Sequence, residues 1–164
     1  MEHSLEQKSL EETLENIARG LLSRTALLAC AESCTGGWIA KTLTDLAGSS
    51  AWFDRGFVTY SNAAKQDMLG VSALTLEQHG AVSEAVVREM AQGALSSSAA
   101  SYSLAVSGIA GPGGGSVDKP VGTVWLAWAD TTVVAECFHF EGDREAVRAQ
   151  AVEQALLGLL RRLS

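Results

Sequence analysis

Two short apolar runs constrain this chain most: Ala26-Leu27-Leu28-Ala29-Cys30-Ala31 and Tyr102-Ser103-Leu104-Ala105-Val106. Each is shorter than an ordinary helix, and neither alternates as a strand with one wet face would. Strands covered on both faces have this composition. Helical spacing fills the intervals. Leu10, Leu14, Ile17 and Leu21 recur at 4-3-4 steps, as do Val152, Leu156, Leu159 and Leu163. Ile39, Leu43 and Leu46 form a third stripe, and Val86, Val87, Met90, Ala94 and Leu95 a fourth. Ser61, Ser83 and Asp143 stand where N-caps are needed, and Gly70 where a helix must close. Phe57-Val58-Thr59-Tyr60 has strand composition. Gly122–Ala129 and Thr132–Phe140 read as two strands joined at Asp130-Thr131, a hairpin.

Helices alternating with covered strands, plus one hairpin, predict an α/β fold: a three-layer α/β/α sandwich with a mixed, mainly parallel sheet. The 164 residues suit one domain, 1–164, with residues 1–9 as an N-terminal extension. Hydrophobic residues make up 47% and charged residues 19%, which is too apolar for a disordered chain.

The charge narrows the functional classes. Twelve basic against nineteen acidic side chains leave a net charge of −7, which disfavours nucleic-acid binding. Three cysteines, Cys30, Cys34 and Cys137, cannot complete a disulfide framework and suit a reducing cytoplasm. No apolar run approaches the roughly 18 residues of a membrane span, and the acidic N-terminus lacks the pattern of a secretion signal. His3, His79 and His139 are scattered, so neither a metal nor another cofactor is expected.

In an open α/β sheet, ligands gather beyond the carboxyl ends of the strands. Three polar segments occupy such places: Glu32–Gly37, Tyr60–Lys65 and Ser107–Gly115. Ser33 lies between a covered strand and a helix, where free N–H groups and the helix dipole favour negative charge. It is a candidate nucleophile, with helix capping as its alternative role. A serine nucleophile needs a base, and neither His79 nor His139 is well placed. Lys65 is the better candidate, because burial can leave a lysine neutral near pH 7. A solvated lysine is the alternative. Tyr60 is a candidate for orienting or relaying the proton. Cys34 is the rival nucleophile, but adjacent side chains point apart, and Cys34 is the one expected to face the core. Backbone N–H groups of the Ser107–Gly115 loop could hold a phosphate, although the loop has neither a P-loop nor a dinucleotide-binding ending. Arg144 could add a guanidinium.

Six segments in register resemble the CinA C-terminal domain family: Ala31–Gly37, Val58–Lys65, Gly80–Ser83, Ser107–Gly114, Lys119–Val124 and Gly142–Arg144. Together they span roughly residues 10–163. The family's stand-alone enzymes are nicotinamide mononucleotide deamidases. The resemblance implies hydrolysis of that nucleotide's carboxamide to nicotinic acid mononucleotide and ammonia. It implies Ser33 as nucleophile, Lys65 as base and Tyr60 as assistant. Cys34, Thr35, Gly36 and Gly37 would supply the oxyanion site, and Ser107, Gly108, Gly111, Gly113 and Arg144 would hold the substrate. Family members often carry threonine at the position of Ser107. In larger members a nucleotide-processing domain comes first, for which the roughly ten residues ahead of the match leave no room. A role in pyridine-nucleotide salvage, a cytoplasmic location and a homo-oligomer, dimer favoured, complete the expectation. The alternative is a non-catalytic nucleotide-binding module tied to competence or DNA damage.

Overall fold

The computed structural model describes residues 2–164, with side chains from Ser9 onward. A five-stranded sheet runs through it in the order β2-β1-β3-β4-β5. The strands are β1 (Leu28–Glu32), β2 (Phe53–Val58), β3 (Tyr102–Gly108), β4 (Thr123–Ala129) and β5 (Val133–His139). β1 pairs parallel with β2 and β3, while β3–β4 and β4–β5 are antiparallel. Four strands therefore point one way and β4 runs against them, so the sheet is mixed and mainly parallel as expected. Helices α1 (Glu2–Ser23), α2 (Trp38–Thr44) and α6 (Arg144–Leu163) cover one face; α3 (Asn62–Leu69), α4 (Ala73–His79) and α5 (Glu84–Ser96) cover the other. The expected extension over residues 1–9 falls mostly on side chains outside the described residues.

The apolar runs form β1 and β3 because these strands are covered on both sides. Successive residues of β1 alternate between the layers: Leu28 and Cys30 join the α1/α2/α6 core, Ala29 and Ala31 the α5 core. β3 and β4 repeat the division. Leu104, Val106, Leu126 and Trp128 face α6, whereas Ala105, Ala127 and Ala129 face α5. Small residues on one face let α5 lie close to the sheet, and large ones fill the opposite layer. Leu14, Ile17 and Leu21 of α1 pack with the stripe of α6 in one core against the sheet, while Leu10 stays exposed.

Local signals held where local chemistry decides. Ser61, Ser83 and Asp143 accept the N–H groups of Ala64, Val86 and Ala146 at 3.0, 3.3 and 2.9 Å. Gly70 closes α3 with φ +68. The expected strand Phe57–Tyr60 lies instead at Phe53–Val58. β2 is a half-exposed edge strand with Asp54 and Arg55 in its middle, so its sequence lacks the apolar run of an interior strand. Tyr60 consequently sits beyond the strand, in the approach to α3.

Helix α6 approaches the sheet at Gly158, where any Cβ would overlap the Trp128 ring. The Trp128 Nε1–H also donates to the Ala155 carbonyl at 2.9 Å, which fixes the ring under the helix. Gly158→Ala is therefore expected to destabilise the protein by about 1–3 kcal/mol, the usual cost of overpacking. Urea unfolding checks this, and an unchanged midpoint would show that α6 shifts without cost.

Candidate active site

The chain leaves β1 toward β2 over one sheet face and returns to β3 over the other, which opens a crevice at the carboxyl end of β1. Both neighbours extend their pairing one residue past the strand. Thr59 N–H donates to the Glu32 carbonyl at 2.8 Å, and Ser33 N–H to the Val106 carbonyl at 3.1 Å. The main chain of Ser33 is thus held between the ends of β2 and β3.

Glu32, 1% exposed, ends β1 with its carboxylate under the start of α2. It accepts the N–H groups of Ile39 (2.8 Å) and Ala40 (3.0 Å) and the hydroxyl of Thr35 (2.6 Å). The Cys30 thiol lies 3.8 Å away. A helix leaves its first N–H groups without intrahelical partners, and a carboxylate there also suits the dipole. Glu32 therefore fills the α2 terminus that the sequence reading had offered to substrate, and it ties down both ends of the Ser33–Gly37 turn.

Alternation along β1 turns Ser33 and Cys34 to opposite layers. Cys34 joins the α2/α6 core, and burial pushes its thiol up to about 11, against the opposing pull of Arg148 and Lys65. A thiol so protonated at neutral pH is a poor nucleophile. Ser33 faces α3, where Lys65 Nζ lies 3.0 Å from its Oγ.

Lys65 is 1% exposed and reaches back from α3 to the residues before the helix. Its Nζ donates to the carbonyls of Thr59 (2.9 Å) and Tyr60 (3.0 Å). Among the described residues no carboxylate pairs with it. Burial lowers its pKa below the ordinary lysine value, with a smaller opposing contribution from Cys34. Nζ has three oxygen partners: an ammonium donates to all of them, and a neutral amine donates to the two carbonyls and turns its lone pair toward the Ser33 hydroxyl. The same Ser33 Oγ lies 3.4 Å from the Tyr60 carbonyl.

Other expected residues are placed differently. The Tyr60 side chain, 62% exposed, meets Arg144 rather than Lys65: Arg144 Nη2 donates to its hydroxyl at 3.3 Å. Tyr60 touches the lysine through its carbonyl, because the phenol projects outward beyond the strand end. Arg144 Nη1 also donates to the Gly111 carbonyl at 2.7 Å, linking the glycine loop to Tyr60. The Ser107 hydroxyl turns inward and donates to the Ala81 carbonyl at 2.8 Å, bracing β3 against the approach to α5. Gly108 packs its backbone against Val124 of β4, while Gly113 stands in open space on the β3–β4 loop. In the turn after Ser33, the Gly36 N–H is taken by the Ser33 carbonyl at 3.1 Å, whereas Cys34, Thr35 and Gly37 N–H make no hydrogen bond among the described residues.

One residue of the cluster was not singled out by any motif. Arg148, one turn after Arg144 on α6, donates through Nε to the Cys34 carbonyl (3.0 Å) and through Nη2 to the Thr35 carbonyl (3.3 Å). Its guanidinium lies 5.6 Å from the Trp38 ring centroid. The i, i+4 pair of arginines at the start of an amphipathic helix was the available signal. Among the described residues no group of three or more His, Cys, Asp or Glu side chains gathers as a metal site would require.

The family model described as CinA C-terminal domain matches residues 10–163. The chain is 57% identical over 159 residues to the nicotinamide-nucleotide amidohydrolase PncC of Enterobacter agglomerans, covering 96% of this chain and 97% of that protein. It is 59% identical over 146 residues to the protein of the same name from Escherichia coli strain K12, covering 87% of each. The crystal structure of the competence/damage inducible protein CihA from Agrobacterium tumefaciens superposes with a TM-score of 0.90 at 46% identity, covering 93% of this chain and 94% of that one.

Glu32→Gln keeps the side-chain shape but leaves a single oxygen to accept three hydrogens, so one buried donor loses its partner. The expected loss is about 1–3 kcal/mol, larger for Glu32→Ala, read as a shift in the urea unfolding midpoint. A midpoint equal to wild type would refute the assigned role of this carboxylate.

Proposed function

Because the chain belongs to the CinA C-terminal domain family, we propose that it is a nicotinamide-nucleotide amidohydrolase acting through a serine nucleophile and a lysine base. The observation that carries this reading is the buried contact of 3.0 Å between Lys65 Nζ and Ser33 Oγ, with no carboxylate paired to Nζ among the described residues. The high identity to proteins named for this activity supports the substrate class.

In the proposed sequence, neutral Lys65 takes the Ser33 proton as Oγ attacks the carboxamide carbon of nicotinamide mononucleotide. The tetrahedral oxyanion is stabilised by N–H groups of Cys34, Thr35 and Gly37, since the Gly36 N–H already serves Ser33. The Lys65 ammonium then protonates the leaving nitrogen, the C–N bond breaks, and ammonia departs from an ester on Ser33. Water attacks that ester while Lys65 accepts its proton. Collapse returns the Ser33 hydroxyl and releases nicotinic acid mononucleotide as the carboxylate. The two carbonyls on Nζ stabilise the ammonium as well as the amine, so one lysine serves as base and acid in turn.

Arg144, held between Gly111 and Tyr60, places a cation at the mouth of the site and is the candidate for the substrate phosphate, together with backbone of the glycine loop. The exposed Tyr60 ring offers a surface for the nicotinamide ring. No described helix is long and apolar enough to cross a membrane. A cytoplasmic enzyme of pyridine-nucleotide salvage, without nucleic-acid partners, fits the charge of −7 and the free thiols.

The test is ammonia release from nicotinamide mononucleotide, with the product identified by mass. Ser33→Ala and Lys65→Ala are expected to lower kcat roughly a thousand-fold or more while the fold persists. Full activity in Ser33→Ala would overturn the mechanism. The base works only when neutral, so the rate should fall as pH drops and Lys65 becomes protonated. Because burial lowers this pKa, the midpoint should lie below lysine's ordinary value of 10.5. A rate flat across that range would remove Lys65 as the base.

A further inference from the structure

The proposed oxyanion donors belong to peptide units in a turn, and a turn holds an N–H in place only if its peptide planes are fixed. The Glu32 carboxylate fixes the Thr35 side chain and the start of α2. The Cys34–Thr35 peptide plane has a separate restraint. We infer that Arg148 is a positioning residue for this reaction, setting the Thr35 N–H of the oxyanion site by gripping the reverse side of the turn; the inference rests on the reading of Ser33 as nucleophile.

The argument is geometric. The Cys34–Thr35 peptide is trans, so the Cys34 carbonyl and the Thr35 N–H point in opposite directions from one plane. Arg148 Nε holds that carbonyl at 3.0 Å, which turns the Thr35 N–H away from the guanidinium. Its Nη2 holds the next carbonyl, that of Thr35, at 3.3 Å. The Gly36 N–H on the opposite edge of that plane meets the Ser33 carbonyl. The Thr35 carbonyl also accepts the Trp38 N–H at 3.1 Å, so backbone already holds the second plane, and the Cys34–Thr35 plane is the one whose carbonyl depends on Arg148. A charged donor on a carbonyl also polarises the amide and strengthens its N–H as a donor.

Arginine suits this role in a way lysine cannot. The planar guanidinium spans two carbonyls and lies over the Trp38 ring, whereas an ammonium is a point charge without a fixed fork. Among the described residues no carboxylate pairs with Arg148, so its donors are directed to this turn. The side chain is half-buried at the α6–turn junction, with Gly36 beside it: a Cβ there would come within 3.5 Å of Nη2.

The experiment compares wild type, Arg148→Lys and Arg148→Met in two assays. One is steady-state hydrolysis of nicotinamide mononucleotide. The other is the rate at which a fluorophosphonate probe modifies Ser33, followed by intact mass, which reports nucleophile and oxyanion site without depending on the natural substrate. Both variants should lower kcat and the labelling rate about 10–100-fold, on the scale of a displaced catalytic group, with KM within about twofold and the pH midpoint of the rate unchanged. A raised KM at unchanged kcat would make Arg148 a substrate-binding group and overturn the proposal. So would a moved pH midpoint, wild-type rates in both variants, or loss of folding in both by circular dichroism. If wild type is labelled at Ser33 but hydrolyses no nicotinamide mononucleotide, the substrate assignment fails, and labelling alone decides the role of Arg148. A wild-type protein that neither hydrolyses nor labels overturns both readings.

Discussion

The buried carboxylate of Glu32 is the contact on which the site depends. A carboxylate removed from water is costly unless hydrogen bonds replace its hydration, and here three donors at 2.6–3.0 Å do so. Two of them are N–H groups at the start of α2 that the helix cannot satisfy itself. The same bonds close the turn that carries Ser33. Strand end, turn and helix start are therefore one unit, in which the residue beside the nucleophile anchors the helix that follows it.

The sheet then decides what surrounds that unit. Alanines on one face bring α5 close, and the approach to α3 is drawn in with it, so Lys65 is dry although its helix is short and buries only Leu69 besides. Large residues on the other face seat α6, whose first turns reach over the carboxyl end of β1. From there Arg144 joins Gly111 to Tyr60, and Arg148 joins the helix to the turn. Packing that has no chemical role thus sets both the desolvation of an amine and the anchoring of three loops.

Legibility in the sequence followed the range of the interaction. Ser61, Ser83, Asp143 and Gly70 were readable because a cap acts within three or four residues. The buried strands were readable because covering both faces leaves a continuous apolar run. β2 was displaced by several residues because an edge strand needs no such run. Glu32 lay within a quoted segment without an assigned role, since a carboxylate in a sequence looks like a surface group. Arg148 was missed for a related reason: its carbonyl partners lie 114 and 113 residues away. Tyr60 was recognised, but its phenol was expected to serve Lys65 and its carbonyl does so instead.

By itself, the sequence determined the alternation of elements, the three polar segments at strand ends and the types of group available at each. Those follow from periodicity, capping and composition, which are local. Tertiary structure decided that Ser33 faces Lys65 while Cys34 faces the core, that Lys65 donates to two main-chain carbonyls, and that the Ser107 hydroxyl turns inward. Nucleophile–base contact and desolvation arise only where distant segments meet, because the dielectric around a group and the atoms within 3 Å of it are properties of packing and not of the residue.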